Sequence, residues 1–142
     1  MRVHFDTSVL VAGLVRSHPK YREASAALLQ ARSEEVQASI SAHTLAEFYA
    51  TLSRMPLKPK VSPGAAVAQL RENILPYFEV VTLDLQDYTM ALERLSRLGL
   101  PGAIIFDALI GRAAEKVGAR RLLTLNTRDF DRLGLDLEAR EP

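Results

Sequence analysis

The chain has 142 residues, of which 48% are hydrophobic and 25% charged, and its formal net charge is +1. It contains no cysteine, which excludes disulfides, iron–sulfur clusters, thiolate zinc sites and cysteine nucleophiles, and which favours a cytoplasmic location. The longest uncharged apolar stretch, Ser8 to Val15, is much shorter than the roughly 20 residues of a membrane span, and a net charge near zero argues neither for nor against a nucleic-acid partner.

Short strand patterns alternate with amphipathic helix patterns along the chain. The predicted elements are a strand over 3–5, helices over 9–15 and 21–31, a strand over 36–40, helices around 45–52 and over 63–75, a strand over 79–83, helices over 86–98 and 106–117, a strand over 122–125 and a short fifth strand within 135–139. Residues 55–63 contain three prolines and two lysines and therefore predict an extended loop.

This alternation predicts an α/β fold, a three-layer α/β/α sandwich with a central, mainly parallel sheet of four to five strands. We expect a single domain over residues 1–142, since a chain of this length buries roughly two-thirds of the surface of its unfolded form. Ligands of such folds bind beyond the carboxyl ends of the strands. Asp6 follows the first predicted strand directly and is therefore a candidate functional residue.

Each acidic residue near a predicted helix start also has a structural explanation. Thr44 to Glu47 matches the Ser/Thr-x-x-Glu capping box. Asp6 and Asp107 lie beside apolar helical runs, where a carboxylate can cap backbone N–H groups. Taken singly, each acid is better explained as a cap than as a ligand, and the spacing alone leaves both interpretations of Glu47 open.

Taken together, the acids favour a metal site. Carboxylates held close to one another repel and raise one another's pKa, so stability gives no reason to gather them at one edge of a sheet. A hard divalent cation such as Mg²⁺ or Mn²⁺ takes oxygen ligands from a few carboxylates and from water. His4, His18 and His43 show no paired spacing, which argues against zinc.

The segment "LLTLNTRDF", from Leu122 to Phe130, ends a predicted strand with Thr124, Asn126 and Asp129 in close succession. Its structural interpretation is an Asx turn that starts a short helix, with Asn126 or Thr127 as the cap. The Asn126 amide oxygen and the Asp129 carboxylate are also placed to reach the edge of the sheet where Asp6 lies.

The segments "FDTSVL", "SAHTLAEFYATLSR" and "FDALIGRAAEKVGARRLLTLNTRDF" occur in an order that resembles the PIN-domain family, in particular its VapC-like toxins. The resemblance implies a three-layer α/β/α nuclease that cuts single-stranded RNA with Mg²⁺ or Mn²⁺. It also implies a homodimer, and an antitoxin partner that inserts a basic side chain into the acidic pocket.

The resemblance extends to individual residues. It implies that Asp6, Glu47 and Asp107 form the metal-binding core. The hydroxyl group that follows the first acid corresponds to Thr7 or Ser8. Thr124, from the segment that ends the later strand, is a further candidate accessory hydroxyl. Many relatives carry an Asp where this chain has Asn126, and Asp129 matches a variable position in the same motif.

The predicted reaction is metal-assisted hydrolysis of a phosphodiester bond. Asn126 and Asp129 would orient water or a second cation. The predicted contacts to the RNA backbone, whose binding would depend on salt, are Arg112, Arg128, Lys58 and Lys60. Only 6% of residues are aromatic, so base stacking is predicted to contribute little.

Two functions of other classes stay open. An aspartyl phosphatase or phosphotransferase also places an Asp after the first strand, but its pattern has a second Asp two residues later, where this chain has Ser8. A non-catalytic or housekeeping module of the same fold would bind RNA or protein without cleavage. No Gly-x-Gly-x-x-Gly follows the first strand, which argues against a dinucleotide site.

Overall fold

The computed structural model describes residues 1 to 142, and a five-stranded sheet lies at its centre. The strands are β1 (Arg2–Phe5), β2 (Gln37–Ser41), β3 (Glu79–Val81), β4 (Arg121–Leu123) and β5 (Glu138–Arg140). Their order across the sheet is β3-β2-β1-β4-β5, and every pairing is parallel. The predicted α/β sandwich with up to five strands is confirmed, and its sheet is wholly parallel.

Seven α-helices cover the sheet. They are α1 (Thr7–Leu14), α2 (Tyr21–Arg32), α3 (Ala42–Arg54), α4 (Pro63–Gln69), α5 (Leu85–Leu98), α6 (Ile104–Lys116) and α7 (Thr127–Asp131). A π-helical turn, Leu70–Ile74, continues α4. No helix is long and apolar enough to cross a membrane.

Two hydrophobic cores lie on opposite faces of the sheet. Successive residues of a strand point to opposite faces, and in β4 Leu123 belongs to one core while Leu122 belongs to the other. The first core packs α1 to α4 against the sheet, and the second packs α5, α6 and α7. The helices on both faces therefore hold the carboxyl ends of the strands in fixed relative positions.

The boundaries of the elements differ from the predicted ones by a few residues. Helix α6 begins at Ile104, two residues earlier than predicted, because Ile104 is itself buried in the second core. Strand β5 begins at Glu138, later than the predicted 135. Gly99 ends α5 with a φ of 66°, a left-handed conformation that favours glycine.

Candidate active site at the carboxyl edge of the sheet

The carboxyl ends of β1 and β4 border a crevice in the sheet. The chain runs from β1 outward to β2 and β3, and then returns to place β4 on the other side of β1. Ligands of open α/β sheets bind where the strand order reverses in this way. Asp6 follows β1 directly and Thr124 follows β4 directly, so both side chains lie at this crevice.

Asp6 is buried, hydrogen-bonded and without a cationic partner. The residue is 7% exposed, and its Oδ2 atom accepts hydrogen bonds from Ser8 Oγ at 2.7 Å and from Thr124 Oγ1 at 2.8 Å. Asp6 occupies the N-cap position of α1, but its side chain makes no capping hydrogen bond. The capping explanation of Asp6 is therefore wrong. Two hydroxyl groups orient its carboxylate and leave Oδ1 without a hydrogen-bond partner.

The two hydroxyl groups are themselves held by the backbone. Ser8 Oγ accepts from the Leu125 N–H at 3.1 Å, and Thr124 Oγ1 accepts from the Asn126 N–H at 2.9 Å. Each hydroxyl oxygen thus accepts a hydrogen bond from a backbone N–H, and its own O–H donates to Asp6. The start of α1 and the segment after β4 are joined by this network.

Glu47 lies in the second turn of α3, not at its start. Ser41 is the N-cap of α3, and its side chain accepts from the Thr44 N–H at 3.2 Å. The capping box predicted for Thr44 and Glu47 is therefore wrong, because the helix begins before Thr44. Glu47 Oε1 instead lies 3.2 Å from the hydroxyl of Thr7, which donates to it.

Burial raises the pKa of the Glu47 carboxyl above its usual value, and the negative charge of Asp6 adds to this effect. His43 and the Thr7 hydroxyl act in the opposite direction. The His43 Nε2 atom lies 3.7 Å from Glu47 Oε1, which is a weak contact for an ion pair. Glu47 is thus half-buried and electrostatically coupled to Asp6 across α1 and α3.

Asp107 lies in the first turn of α6 without acting as its cap. The N-cap position is Ala103, and no side chain caps this helix, so the capping explanation of Asp107 is also wrong. Asp107 makes no hydrogen bond or ion pair through its side chain. Burial, together with the charges of Asp6, Asp129 and Glu47 in that order, raises the pKa of Asp107 to about 6.

Asn126 and Asp129 contact each other at the start of α7. Asn126 Nδ2 donates to Asp129 Oδ2 at 2.7 Å, and Arg132 Nη1 lies 3.6 Å from Asp129 Oδ1. Asn126 occupies the N-cap position of α7, as predicted, but its side chain makes no capping hydrogen bond. The hydrogen bond from Asn126 orients the Asp129 carboxylate, and the negative charge of Asp129 contributes to the raised pKa of Asp107.

The structure therefore gathers four carboxylates at one edge of the sheet, with no lysine or arginine paired to three of them. The four are Asp6, Glu47, Asp107 and Asp129. No three acidic or histidine side chains are close enough to enclose a cation by themselves. Mg²⁺ usually keeps several water molecules and binds directly to only one or two carboxylates. Four carboxylates that repel one another, three of them without a lysine or arginine partner, fit a hydrated divalent cation.

The four basic residues predicted to contact RNA have different surroundings. Arg112 is engaged inside the protein, since its Nε atom donates to the buried Asp87 at 2.9 Å. Lys58 and Lys60 border a groove of about 680 Å³ at the end of α1, one helix length, or about 12 Å, from Asp6. Arg128 is exposed in the first turn of α7, two residues from Asn126. Of these four basic residues, only Arg128 therefore lies next to the four carboxylates and makes no ion pair.

Two aromatic rings lie beside the acids, and the sequence patterns did not predict them. His43 and Phe106 stack in parallel, with centroids 5.6 Å apart and an angle of 6° between the ring planes. His43 precedes Glu47 by one helical turn, and Phe106 directly precedes Asp107. The signal was the position of each ring next to an acid on the same helix.

The chain matches a protein family and two named relatives. A family model described as the PIN domain matches residues 3–135. The chain is 31% identical to Ribonuclease VapC40 of Mycobacterium tuberculosis, over 94% of this chain and 95% of that protein. It is 32% identical to Ribonuclease VapC27 of the same organism, over 87% of this chain and 82% of that protein.

Solved structures show the same fold at lower identity. VapC20 of Mycobacterium tuberculosis, described as a Sarcin-Ricin loop cleaving toxin, superposes with a TM-score of 0.73 at 20% identity, over 94% of this chain and 95% of that one. VapBC2 from Rickettsia felis, solved bound to a DNA fragment from its promoter, gives a TM-score of 0.70 at 21% identity, over 100% of this chain and 99% of that one.

Proposed function

Because the chain belongs to the PIN domain family, we propose that it is an endoribonuclease that hydrolyses single-stranded RNA with Mg²⁺ or Mn²⁺, as the toxin of a toxin–antitoxin pair. Residues 1–142 form its single nuclease domain. The two named relatives, both ribonucleases and matched over 95% and 82% of their lengths, support the reaction class. The absence of cysteine supports a cytoplasmic location.

One observation carries the metal-dependent part of this proposal. The Asp107 carboxyl is half-buried, lacks any hydrogen-bond donor and is surrounded by the charges of three other acids, which together with burial raise its pKa to about 6. No cationic side chain of the protein pairs with Asp107 to offset this repulsion. A group whose pKa is strongly shifted by burial and by specific charges in a cleft is a candidate functional residue, and a divalent cation would remove the repulsion.

The residues at the carboxyl edge of the sheet would have distinct roles in such a metal site. Asp6, Glu47 and Asp107 would hold Mg²⁺ or Mn²⁺, which supplies activated water and neutralises the charge that develops on the phosphate. Ser8 and Thr124 hold Asp6 in place, and these accessory hydroxyl groups are too occupied to contact the phosphate.

Thr7 positions the Glu47 carboxylate at 3.2 Å. Asn126 fixes the orientation of Asp129, which would hold water or a second cation. Arg128 offers a free positive charge at the same edge for the RNA backbone. The remote groove that Lys58 and Lys60 border is a second, electrostatic contact for a longer strand.

Cleavage of a labelled single-stranded RNA, with and without Mn²⁺ or Mg²⁺, tests this proposal. We expect cleavage that EDTA abolishes and that Asp6→Asn, Glu47→Gln and Asp107→Asn each reduce by at least a hundredfold. Asp131→Asn is the matched control, because Asp131 is an exposed acid without an ion pair on the same short helix as Asp129. RNA binding without cleavage under every cation would favour the non-catalytic module instead, and a phosphoenzyme formed at Asp6 would favour the phosphotransferase.

Surface features of the chain support both expected protein partners, an antitoxin and a second copy of the chain. Asp6 and Asp107, which have no cationic partner in this chain, suit a basic side chain from an antitoxin, and the solved structures that share this fold include VapBC complexes bound to DNA. A short reading frame for a DNA-binding protein beside the gene, and co-purification of its product, would test this partner.

A homodimer is the second expected assembly. Helix α5 leaves Leu85, Tyr88 and Leu92 exposed by 84%, 44% and 55%, at the i, i+3, i+7 spacing of one helical stripe. Apolar surface of this kind often marks a protein interface. Light scattering of the isolated chain, compared with a variant carrying Leu85→Lys and Leu92→Lys, measures whether this stripe joins two copies.

A further inference from the structure

The rings of His43 and Phe106 bridge the two helices that carry Glu47 and Asp107. Helix α3 packs on one face of the sheet and α6 on the other, and α6 also contacts β2, the strand that leads into α3. The first turns of both helices therefore meet at the carboxyl edge of β2. The stack of His43 on Phe106 joins them at that point.

The packing of the protein interior does not explain this pair. Phe106 is 48% exposed and belongs to neither hydrophobic core, and neither does His43. The parallel planes and the 5.6 Å centroid distance correspond to an offset stack, a favourable arrangement of flat rings. Even with this contact, about half of the Phe106 residue surface is left for another flat group.

We propose that His43 and Phe106 form a platform on which one base of the RNA substrate stacks beside the bond that is cut, an inference that rests on the proposed ribonuclease function. Phe106 adjoins Asp107 in the chain, and His43 contacts Glu47. A phosphate bound at the acids carries its base only one sugar away. The base then lies within reach of the side chains next to those acids.

The chemistry of the platform matches a nucleobase better than a peptide side chain. Every base has a flat π surface, so stacking on an aromatic ring tolerates many sequences. The acids around the platform repel other anions, and the phosphate is admitted only with a cation. The composition predicted that stacking contributes little, but the fold places two of the chain's few rings at the one edge where stacking would orient the substrate.

Binding of a 5′-labelled, 12-nucleotide single-stranded RNA, measured by fluorescence anisotropy with Ca²⁺ in place of Mg²⁺ or Mn²⁺, tests the platform. Ca²⁺ is a hard divalent cation that also takes oxygen ligands, and a gel of each sample checks that the RNA stays intact. We expect Phe106→Leu to raise the Kd about tenfold, the lower end of what loss of one base–aromatic stack costs. Phe106→Tyr and His43→Phe keep flat rings and should bind as the wild type does. His43→Phe also separates stacking from any proton transfer by the imidazole.

Tyr77→Leu is the matched control. Tyr77 is a comparably exposed aromatic residue, at 38%, but it precedes β3 and therefore lies near the amino edge of the sheet, with its ring against Arg32. This substitution should leave both binding and cleavage unchanged. Thermal unfolding of each variant checks that the fold is retained, which the exposure of both rings favours.

A second readout reports stacking itself. RNAs that carry one abasic nucleotide at successive positions should reveal one position where loss of the base weakens wild-type binding but not that of Phe106→Leu, which is the signature of a direct pair in a double-mutant cycle. 2-Aminopurine at that position should be quenched by the wild type and not by Phe106→Leu.

The outcomes separate this inference from the proposed function. Wild-type cleavage with equal Kd and KM for Phe106→Leu, and no position-specific abasic effect, overturns the platform alone. Absence of cleavage by the wild type under any cation overturns the ribonuclease function, while a weaker Kd confined to Phe106→Leu would still support the platform as an RNA-binding feature.

Discussion

Thr124 and Asp6 are separated by 118 positions in the chain, and Thr124 Oγ1 donates a hydrogen bond to Asp6 Oδ2 at 2.8 Å. The contact exists because β4 is the parallel neighbour of β1, so both strands end at the same edge of the sheet. A hydroxyl group from one strand thereby fixes the carboxylate that follows the other.

The first prediction concerns this hydrogen bond. Thr124→Val should weaken Mn²⁺ binding by about tenfold, within the range found when a group that orients a metal ligand is removed. Unfolding should become easier by about 1 kcal/mol, because the Asn126 N–H loses its acceptor as well. Titration calorimetry measures the affinity. Thr124→Ser keeps the hydroxyl and should bind as the wild type does, and equal affinity for the valine variant would refute the role given to Thr124.

The second prediction concerns the charge of Asp107. Its folded-state pKa of about 6 lies above the usual 3.8, so the stabilisation that protonation gives is lost as pH rises through 6, and the ionised group destabilises the protein at pH 7. Asp107→Asn should therefore raise the free energy of unfolding at pH 7 by about 1 kcal/mol, a value reduced for the solvent screening of a half-exposed group.

Urea unfolding in EDTA measures this difference, with Asp131→Asn as the exposed-acid control. The gain should disappear near pH 4, where Asp107 is protonated in the wild type. The same variant should lose Mn²⁺ binding. A large loss of stability at pH 7 would mean that Asp107 has a structural role.

The third prediction concerns His4, which lies in the middle of β1 and is fully buried. Burial lowers the pKa of its imidazole from 6.5 to about 3. Its Nδ1 atom contacts Ser39 Oγ at 2.8 Å, whereas Nε2 has no hydrogen-bond partner. The imidazole is thus kept neutral in the folded protein, while the unfolded chain takes up a proton below about pH 6.5.

The stability associated with His4 is therefore present above pH 6.5 and is lost as pH falls towards 3. Between pH 7 and pH 5 the loss amounts to roughly 2 kcal/mol. His4→Gln, which keeps a polar group beside Ser39 but does not titrate, should show a flatter pH profile of unfolding. His18→Gln, at a partly exposed position, should keep the wild-type slope, and identical slopes for all three proteins would contradict the assignment.

The fourth prediction concerns Asp87, a buried acid of α5 that joins this helix to α6. It accepts hydrogen bonds from Lys116 Nζ at 2.6 Å and from Arg112 Nε at 2.9 Å. Burial by itself raises the pKa of Asp87, but these contacts and a backbone hydrogen bond from Asp84 outweigh it and hold the pKa well below its usual range.

Asp87→Ala should lower the free energy of unfolding by about 3 kcal/mol, since it removes the carboxylate closest to both cations. Arg112 then keeps only its 3.6 Å contact to Glu115, and Lys116 its 3.9 Å contact to Asp84. The exposed Glu93 on the same helix offers the control Glu93→Ala, for which we expect almost no change. Denaturant unfolding at pH 7 measures both. If Asp87→Ala were as stable as the control, the ion pairs would contribute nothing to the packing of α5 on α6.

The sequence predicted the order and type of the elements because their patterns are local. The apolar stripe of Leu45, Phe48, Tyr49 and Leu52 predicts the buried face of α3, and Phe48 and Leu52 are buried, although Tyr49 is exposed. The glycine after α5 marks the end of that helix. The resemblance to the PIN domain family rested on short segments that follow one another in the order typical of that family, and the family match confirms it.

Local pattern failed at helix starts. The capping box of Thr44 and Glu47 is a valid local pattern, but Ser41 offered an earlier cap and the buried β2 set where α3 begins. Arg112 illustrates the same limit, because its partner Asp87 lies on another helix. A sequence shows which side chains are charged, but it does not show which other side chain forms an ion pair with each of them.

The sequence by itself thus determined which carboxylates, hydroxyls and rings the chain carries and which predicted element each one lies in or beside. Only the tertiary structure decided which of them meet. Asp6 faces Thr124, and His43 faces Phe106, because parallel pairing and packing on two faces bring distant strand ends to one edge. Those contacts depend on strand order across the sheet, and no spacing along the chain encodes that order.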